Sequence, residues 1–167
     1  MSAMVVVGAG QAAGQAAASL RQGGYEGDIV LLGDEGHPPY QRPPLSKQYL
    51  SGEHGLDKVY VRPASFYPER NIDLRTGVTV TKIDPTSKTV SIDNGDTVEY
   101  EKLLIATGSR PRKLSIEGSD LEGIHYLRTI ADVDGISEAM KTAKSVCIVG
   151  GGYIGLEVAS VAVVAGL

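Results

Sequence analysis

A short β-branched run that ends in a glycine-rich turn and opens at once into a helix-forming stretch strongly restricts what a chain can become. This chain carries that pattern twice. The first copy is AMVVV followed by Gly8-Ala9-Gly10-Gln11-Ala12-Ala13-Gly14. The second is SVCIV followed by Gly150-Gly151-Gly152-Tyr153-Ile154-Gly155. Continuous apolar runs of this kind suit strands buried on both faces of a parallel sheet, so both predict a strand, a tight turn and a helix.

The first copy extends into a full βαβ unit. An alanine-rich stretch from Gln11 to Arg21 predicts the helix, and Gly23-Gly24 ends it. DIVLLGDE is then a second buried strand that finishes at Asp34 and Glu35. Its crossover is expected to be right-handed. The loop fits G-x-G-x-x-A. Gly8 permits the turn, Gly10 lets a pyrophosphate approach the backbone, and Ala13 with Gly14 lets the helix lie close to the strand. The free N–H groups and dipole of the helix start favour an anion there. Asp34 follows at the end of the next strand, where an acid accepts a ribose hydroxyl. The second loop is a complete G-x-G-x-x-G, with Glu157 expected in the first turn of its helix. Two such loops imply two dinucleotides, and a flavin paired with a nicotinamide makes a hydride relay.

Between the copies the rhythm changes to alternation. GVTVTKID, KTVSID and DTVEYEKLLI surround Asn94-Gly95, a strong hairpin signal, so residues 78–105 predict an antiparallel meander returning to a buried strand, LLIAT. Residues 111–123 are polar and irregular, as in a linker. Thr129 and Asp132 form a capping-box pattern that starts a helix expected to run to about Lys144. The fold class is therefore α/β. A Rossmann-like dinucleotide domain, parallel sheet plus meander, occupies residues 1–112, and a second Rossmann-like domain begins over 113–167.

The bulk properties exclude several functions. A formal net charge of −4 and no tryptophan argue against nucleic-acid or membrane-surface binding. The single cysteine, Cys147, forbids an internal disulfide and reads as a small core residue in its strand. A reduced, cytoplasmic setting fits. No His or Cys cluster predicts a metal. MSAMVVVGAG has neither a basic start nor a long apolar run, so no signal peptide is expected. VASVAVVAGL is too short to span a bilayer and reads as a buried helix.

The stretch HPPYQRPPLSK, residues 37–47, holds Arg42 and Lys47 on a proline-stiffened loop. Read alone, both are solvated cations. Together with GAGQAA, GDE, KLLIATGSRPR, LRT with its following Asp, and GGGYIGLE, the stretch resembles the FAD-dependent NADH:ferredoxin reductases, close to putidaredoxin reductase and apoptosis-inducing factor. The resemblance spans essentially the whole chain. It implies that Arg42 lies near the FAD pyrophosphate and Lys47 near the isoalloxazine, where a fixed cation favours the reduced, anionic flavin. It further implies that Asp34 contacts the adenosine ribose and Val80 the adenine. Thr107, Gly108 and Arg128 would also reach FAD. Gly150, Gly152, Tyr153, Ile154 and Gly155 would hold NADH, and Glu157 would approach Lys47 and the flavin. Lys47 and Glu157 are the candidate catalytic pair. Disulfide reductases of this architecture carry a cysteine pair where this chain has PPYQRPPLSK.

The implied activity of an intact enzyme is electron transfer from NADH through FAD to a ferredoxin or another small iron–sulfur protein. The alternatives are an NADH oxidase or monodehydroascorbate-type reductase, or a flavin-binding redox sensor like apoptosis-inducing factor. The family's later strands and C-terminal interface domain are absent from these 167 residues. The 167-residue piece alone is expected to bind FAD weakly and to turn over little.

Overall fold

The computed structural model describes residues 3–167. In chain order the elements are β1 (Ala3–Val7), α1 (Gln11–Gln22), β2 (Asp28–Gly33), a 3-10 turn (Pro43–Ser46), α2 (Leu56–Val59), α3 (Phe66–Glu69), β3 (Ile72–Thr76), β4 (Val80–Asp84), β5 (Thr89–Ile92), β6 (Thr97–Glu99), β7 (Lys102–Ile105), α4 (Ile130–Met140) and α5 (Tyr153–Val164). They fall into two compact units. One comprises the residues up to Gln41 with Tyr60–Gly108, and the other Arg42–Val59 with Ser109–Leu167.

In the first unit β3, β2, β1 and β7 form a four-stranded sheet in that order. Every pairing is parallel, with Val7 opposite Leu32 on one side and Ile105 on the other. Side chains alternate faces along a strand, and the core divides accordingly. Val6, Ile29, Leu31 and Ile72 pack with Ala13 and Ala17 of α1 and with Tyr67. Val5, Val7, Val30 and Leu32 instead meet Val90 and Ile92 of the antiparallel sheet β4-β5-β6. Both faces of β1 and β2 are thus covered, which is why those strands read as unbroken apolar runs rather than alternating ones. The Asn94-Gly95 signal does make the β5–β6 hairpin. Gly95 has φ +92°, and the Asn94 side chain accepts from the Asp96 N–H at 2.9 Å.

Arg21, in the last turn of α1, donates to four backbone carbonyls: Tyr25 at 2.6 Å, Gly27 at 2.8 Å, Arg70 at 2.8 Å and Asn71 at 2.6 Å. One planar guanidinium therefore ties the end of the helix to the approaches of β2 and β3. No hydrophobic pattern announced this tie, and β3 itself was not anticipated.

Three expectations about burial fail for one physical reason. The strand LLIAT exists, as β7, yet Ile105 is 61% exposed, because β7 is an edge strand paired only with β1 among the described residues. SVCIV forms no strand, and Cys147 is exposed rather than a core residue. The VASVAVVAGL segment is helical, but Val164 is 87% exposed and only Ala162 of α5 is buried. A strand needs a hydrogen-bonded neighbour and an apolar helix needs a sheet to cover it. Among the described residues β7 has a neighbour on one side only, SVCIV has none, and no sheet covers α5. The helix from Thr129 ends at Met140, short of Lys144.

Candidate functional site

The strand order places a switch point in the first unit. From β1 the chain crosses to β2 on one side, while β7 lies on the other, so connections diverge at the carboxyl end of β1. Ligands of open parallel sheets bind in the crevice at such a point. The first glycine loop sits there. Gly8 adopts φ +109°, and a β-carbon on it would stand 2.3 Å from the Ala106 carbonyl oxygen and 3.0 Å from the Thr107 nitrogen. Thr107, just beyond β7, therefore lies against this turn, and Gly108 follows it in the chain. A β-carbon on Gly14 would meet Pro39 at 2.6 Å, and one on Gly33 would meet Ala9 at 2.4 Å. These three glycines are required by the protein's own packing. Ala13 is fully buried against the sheet, and Ala12 is exposed on the same turn of the helix.

Gly10 differs. It caps α1 with ordinary extended angles, φ −83° and ψ −170°, and a β-carbon there would touch nothing within 4 Å. No side chain caps the helix. A bare helix start with open space before it is what a dinucleotide pyrophosphate needs, so the residues present fit FAD. Asp34 follows the last residue of β2, level with this loop through the Gly8 N–H bond to the Leu32 carbonyl at 2.7 Å. Val80 begins β4, and its approach is tied to the end of β2 by the Val78 N–H bond to the Gly33 carbonyl at 2.8 Å.

The second unit gathers the other candidates. Its glycine loop repeats the backbone of the first. Gly150 also has φ +109°, and Gly152 caps α5 with φ −77° and ψ 172°. A β-carbon on Gly150 or Gly152 would touch nothing within 4 Å, whereas one on Gly155 would stand 2.8 Å from the Gly150 carbonyl oxygen. Tyr153 and Ile154 are exposed beside this loop.

Arg42 and Arg128 come together in the same unit. The Arg42 guanidinium donates to the Arg128 carbonyl at 2.7 Å. The Arg128 backbone is held by the Asp132 carboxylate at 3.0 Å, inside the capping box that Thr129 and Asp132 form as anticipated. The Arg128 Nε is buried with no hydrogen-bond partner. Such a donor costs free energy unless something accepts from it, and an anion would.

Lys47 and Glu157 form an ion pair at 2.8 Å. Glu157 lies beyond the first turn of α5, not within it, so the helix start is not what holds its charge. The Lys47 ammonium and then the Ser46 hydroxyl, both bonded to it, hold the Glu157 carboxyl below its ordinary range. Ser46, with its 2.5 Å bond to Glu157, escaped the sequence reading. Its only signal was its place next to Lys47, and serines are too common to be singled out on that ground. The Tyr40 hydroxyl bond to the Glu35 carboxylate, which braces the loop after β2, was also unforeseen.

Residues 2–167 match the model for the pyridine nucleotide-disulphide oxidoreductases. The chain belongs to that family. Among family relatives, it is 44% identical over 158 residues to a ferredoxin–NAD(P)+ reductase of Sphingomonas sp, covering 95% of this chain and 38% of the relative. The ferredoxin reductase for the CYP199A2 system from Rhodopseudomonas palustris superposes with a TM-score of 0.95 at 38% identity, over 100% of this chain and 41% of that one. The reductase in a covalent putidaredoxin reductase–putidaredoxin complex gives a TM-score of 0.90 at 38% identity, over 98% and 40%. The chain thus spans about two-fifths of the length of the family members it matches.

Proposed function

We propose that this chain is the FAD-binding portion, with the opening of the NAD-binding portion, of a reductase that passes electrons from NADH to a ferredoxin or another small iron–sulfur protein. In this reading residues 1–112 serve FAD and 113–167 begin the nicotinamide domain. The carrying observation is the pair of glycine turns with matching backbone. Each caps a twelve-residue helix with a glycine that leaves room for an anion. The printed names of the relatives, ferredoxin reductases among them, support the choice of acceptor.

FAD, when bound, supplies the conversion of a two-electron hydride into single electrons. This chain's residues do the holding. The α1 start around Gly10, Gln11 and Ala12 presents N–H groups to the pyrophosphate, and Asp34 accepts from the adenosine ribose. Val80, Thr107 and Gly108 border the same dinucleotide, and Arg42 with Arg128 supply fixed positive charge. Gly150, Gly152, Tyr153, Ile154 and Gly155 receive NADH at the start of α5. Lys47, anchored by Glu157, keeps an ammonium beside the ring without reorganisation, the two forming the catalytic pair. A cytoplasmic setting agrees with the free thiol of Cys147 and with the finding that no helix among the described residues is long and apolar enough to cross a membrane.

The test is a flavin fluorescence titration of the purified chain. FAD is expected to bind with quenching, and riboflavin, which lacks the pyrophosphate and adenosine, far more weakly. Equal affinity for both would refute the assignment of the first glycine loop.

A further inference from the structure

Ser46 is buried, 3% exposed, at the end of the 3-10 turn. Its hydroxyl donates to Glu157 Oε2 at 2.5 Å, while Lys47 Nζ meets Oε1 of the same carboxylate at 2.8 Å. We propose that Ser46 is a positioning residue for the Lys47–Glu157 pair, holding one carboxylate oxygen so that the other stays aimed at the Lys47 ammonium. The importance of that pair rests on the function proposed above, in which Lys47 stands beside the flavin.

The turn is built to make the serine the fixed member. Pro43 and Pro44 lock two φ angles, and Leu45 is fully buried. The Leu45 N–H bonds the Arg42 carbonyl at 3.0 Å, and the Lys47 and Tyr49 N–H groups bond the Pro44 carbonyl at 3.1 and 3.0 Å. Adjacent residues do not normally aim at one target. Here the chain leaves the helical region at Lys47, with φ −126° and ψ −110°, and both side chains converge on a single carboxylate.

An ion pair with side-chain exposures of 42% and 28% cannot set this geometry by itself. Two long side chains in contact with water lose rotamer freedom and gain little from pairing. Lys47 also donates to the Pro43 carbonyl at 3.2 Å, so its ammonium has a second place to rest. Serine has one rotor and is out of water, so its hydrogen bond costs little ordering and meets no competition. Removing that hydroxyl leaves Glu157 free to turn, and Lys47 free to follow the Pro43 carbonyl.

The experiment labels the full chain with 13C-glutamate and titrates the Glu157 carboxyl by NMR, the resonance being assigned with Glu157→Gln. Lys47 is followed in parallel by its rate of acylation in the presence of a small amine-reactive ester. Ser46→Ala is expected to raise the Glu157 midpoint, a proton affinity higher by roughly threefold or more, and to speed Lys47 acylation severalfold. Ser46→Thr, which keeps the hydroxyl, is expected to return both toward the parent. Should the alanine variant unfold, Ser46→Cys preserves volume with a much weaker donor and is expected to behave as alanine. A Glu157 titration and a Lys47 rate unchanged in folded Ser46→Ala or Ser46→Cys would overturn the proposal. No cofactor is needed, so a failure to bind FAD would count against the functional reading and leave this result standing.

Discussion

Replacing Gly10 by alanine separates ligand-imposed from fold-imposed glycine. At φ −83° alanine is unstrained, and its β-carbon meets nothing within 4 Å. Lower entropy of the unfolded chain stabilises the variant by about 0.4–1 kcal/mol. Gly10 is also an N-cap, where alanine is poorer than glycine by roughly 0.5–1 kcal/mol. The two nearly cancel, so the urea unfolding free energy should stay within about 0.5 kcal/mol of the parent. Gly8→Ala is the contrast. Its β-carbon stands 2.3 Å from a backbone oxygen at φ +109°. Left-handed strain and overpacking together predict a loss of about 3–5 kcal/mol. For FAD the order reverses in meaning. In the proposed function a methyl at Gly10 would occupy the seat of the pyrophosphate, and losing one or two charge-assisted N–H bonds would cost about 1.5–3 kcal/mol each, a ten- to hundredfold weaker Kd or worse. Urea melts followed by circular dichroism and flavin fluorescence titrations measure the two quantities. A Gly10→Ala protein that binds FAD like the parent would refute the reasoning, as would one that unfolds.

Three further outcomes are expected. Arg21→Ala strips four carbonyls of one donor and should lower the unfolding free energy by about 2–3 kcal/mol, with Arg21→Lys recovering only part of it in the same urea assay. Burial pushes the Tyr67 hydroxyl from 10.0 up to about 12, with Arg62 partly opposing. Its folded value lies above its unfolded one, so that stability is complete below pH 10 and disappears as pH rises through about 12. Tyr67→Phe should abolish this alkaline loss and, by removing a buried hydroxyl without a partner, stabilise the protein at neutral pH by roughly 1 kcal/mol. The Asp84 carboxylate, accepting the Ser87 and Thr86 N–H groups, and Glu157, paired with Lys47 and Ser46, are both held below their ordinary values. Their contributions are present above the unfolded carboxylate range and vanish as pH falls through the lower folded values. Acid melts of Asp84→Asn and Glu157→Gln should therefore be flatter than the parent's below about pH 4.

Local chemistry was legible in the residues. The Asn94-Gly95 hairpin and the Thr129–Asp132 capping box depend on contacts a few residues apart, and the βαβ unit is written in one continuous stretch of strand, turn and helix signals; each formed where its pattern lay. The pairing of Lys47 with Glu157 was legible only through resemblance, because no periodicity joins residues 110 positions apart. Which glycines serve packing and which leave a seat was invisible in the letters alone. Gly8, Gly10 and Gly14 share one symbol, and only the positions of Ala106 and Pro39 separate them.

By itself, the order of residues determined the elements whose signals lie together in one stretch of chain: the β1–α1–β2 unit, the hairpin and the two glycine turns. Tertiary structure decided what is buried. Val5 and Ile105 are equally apolar, yet one lies between two covering layers and the other on an open edge. Burial belongs to the partners a segment meets, and those are set by the whole sheet rather than by the segment.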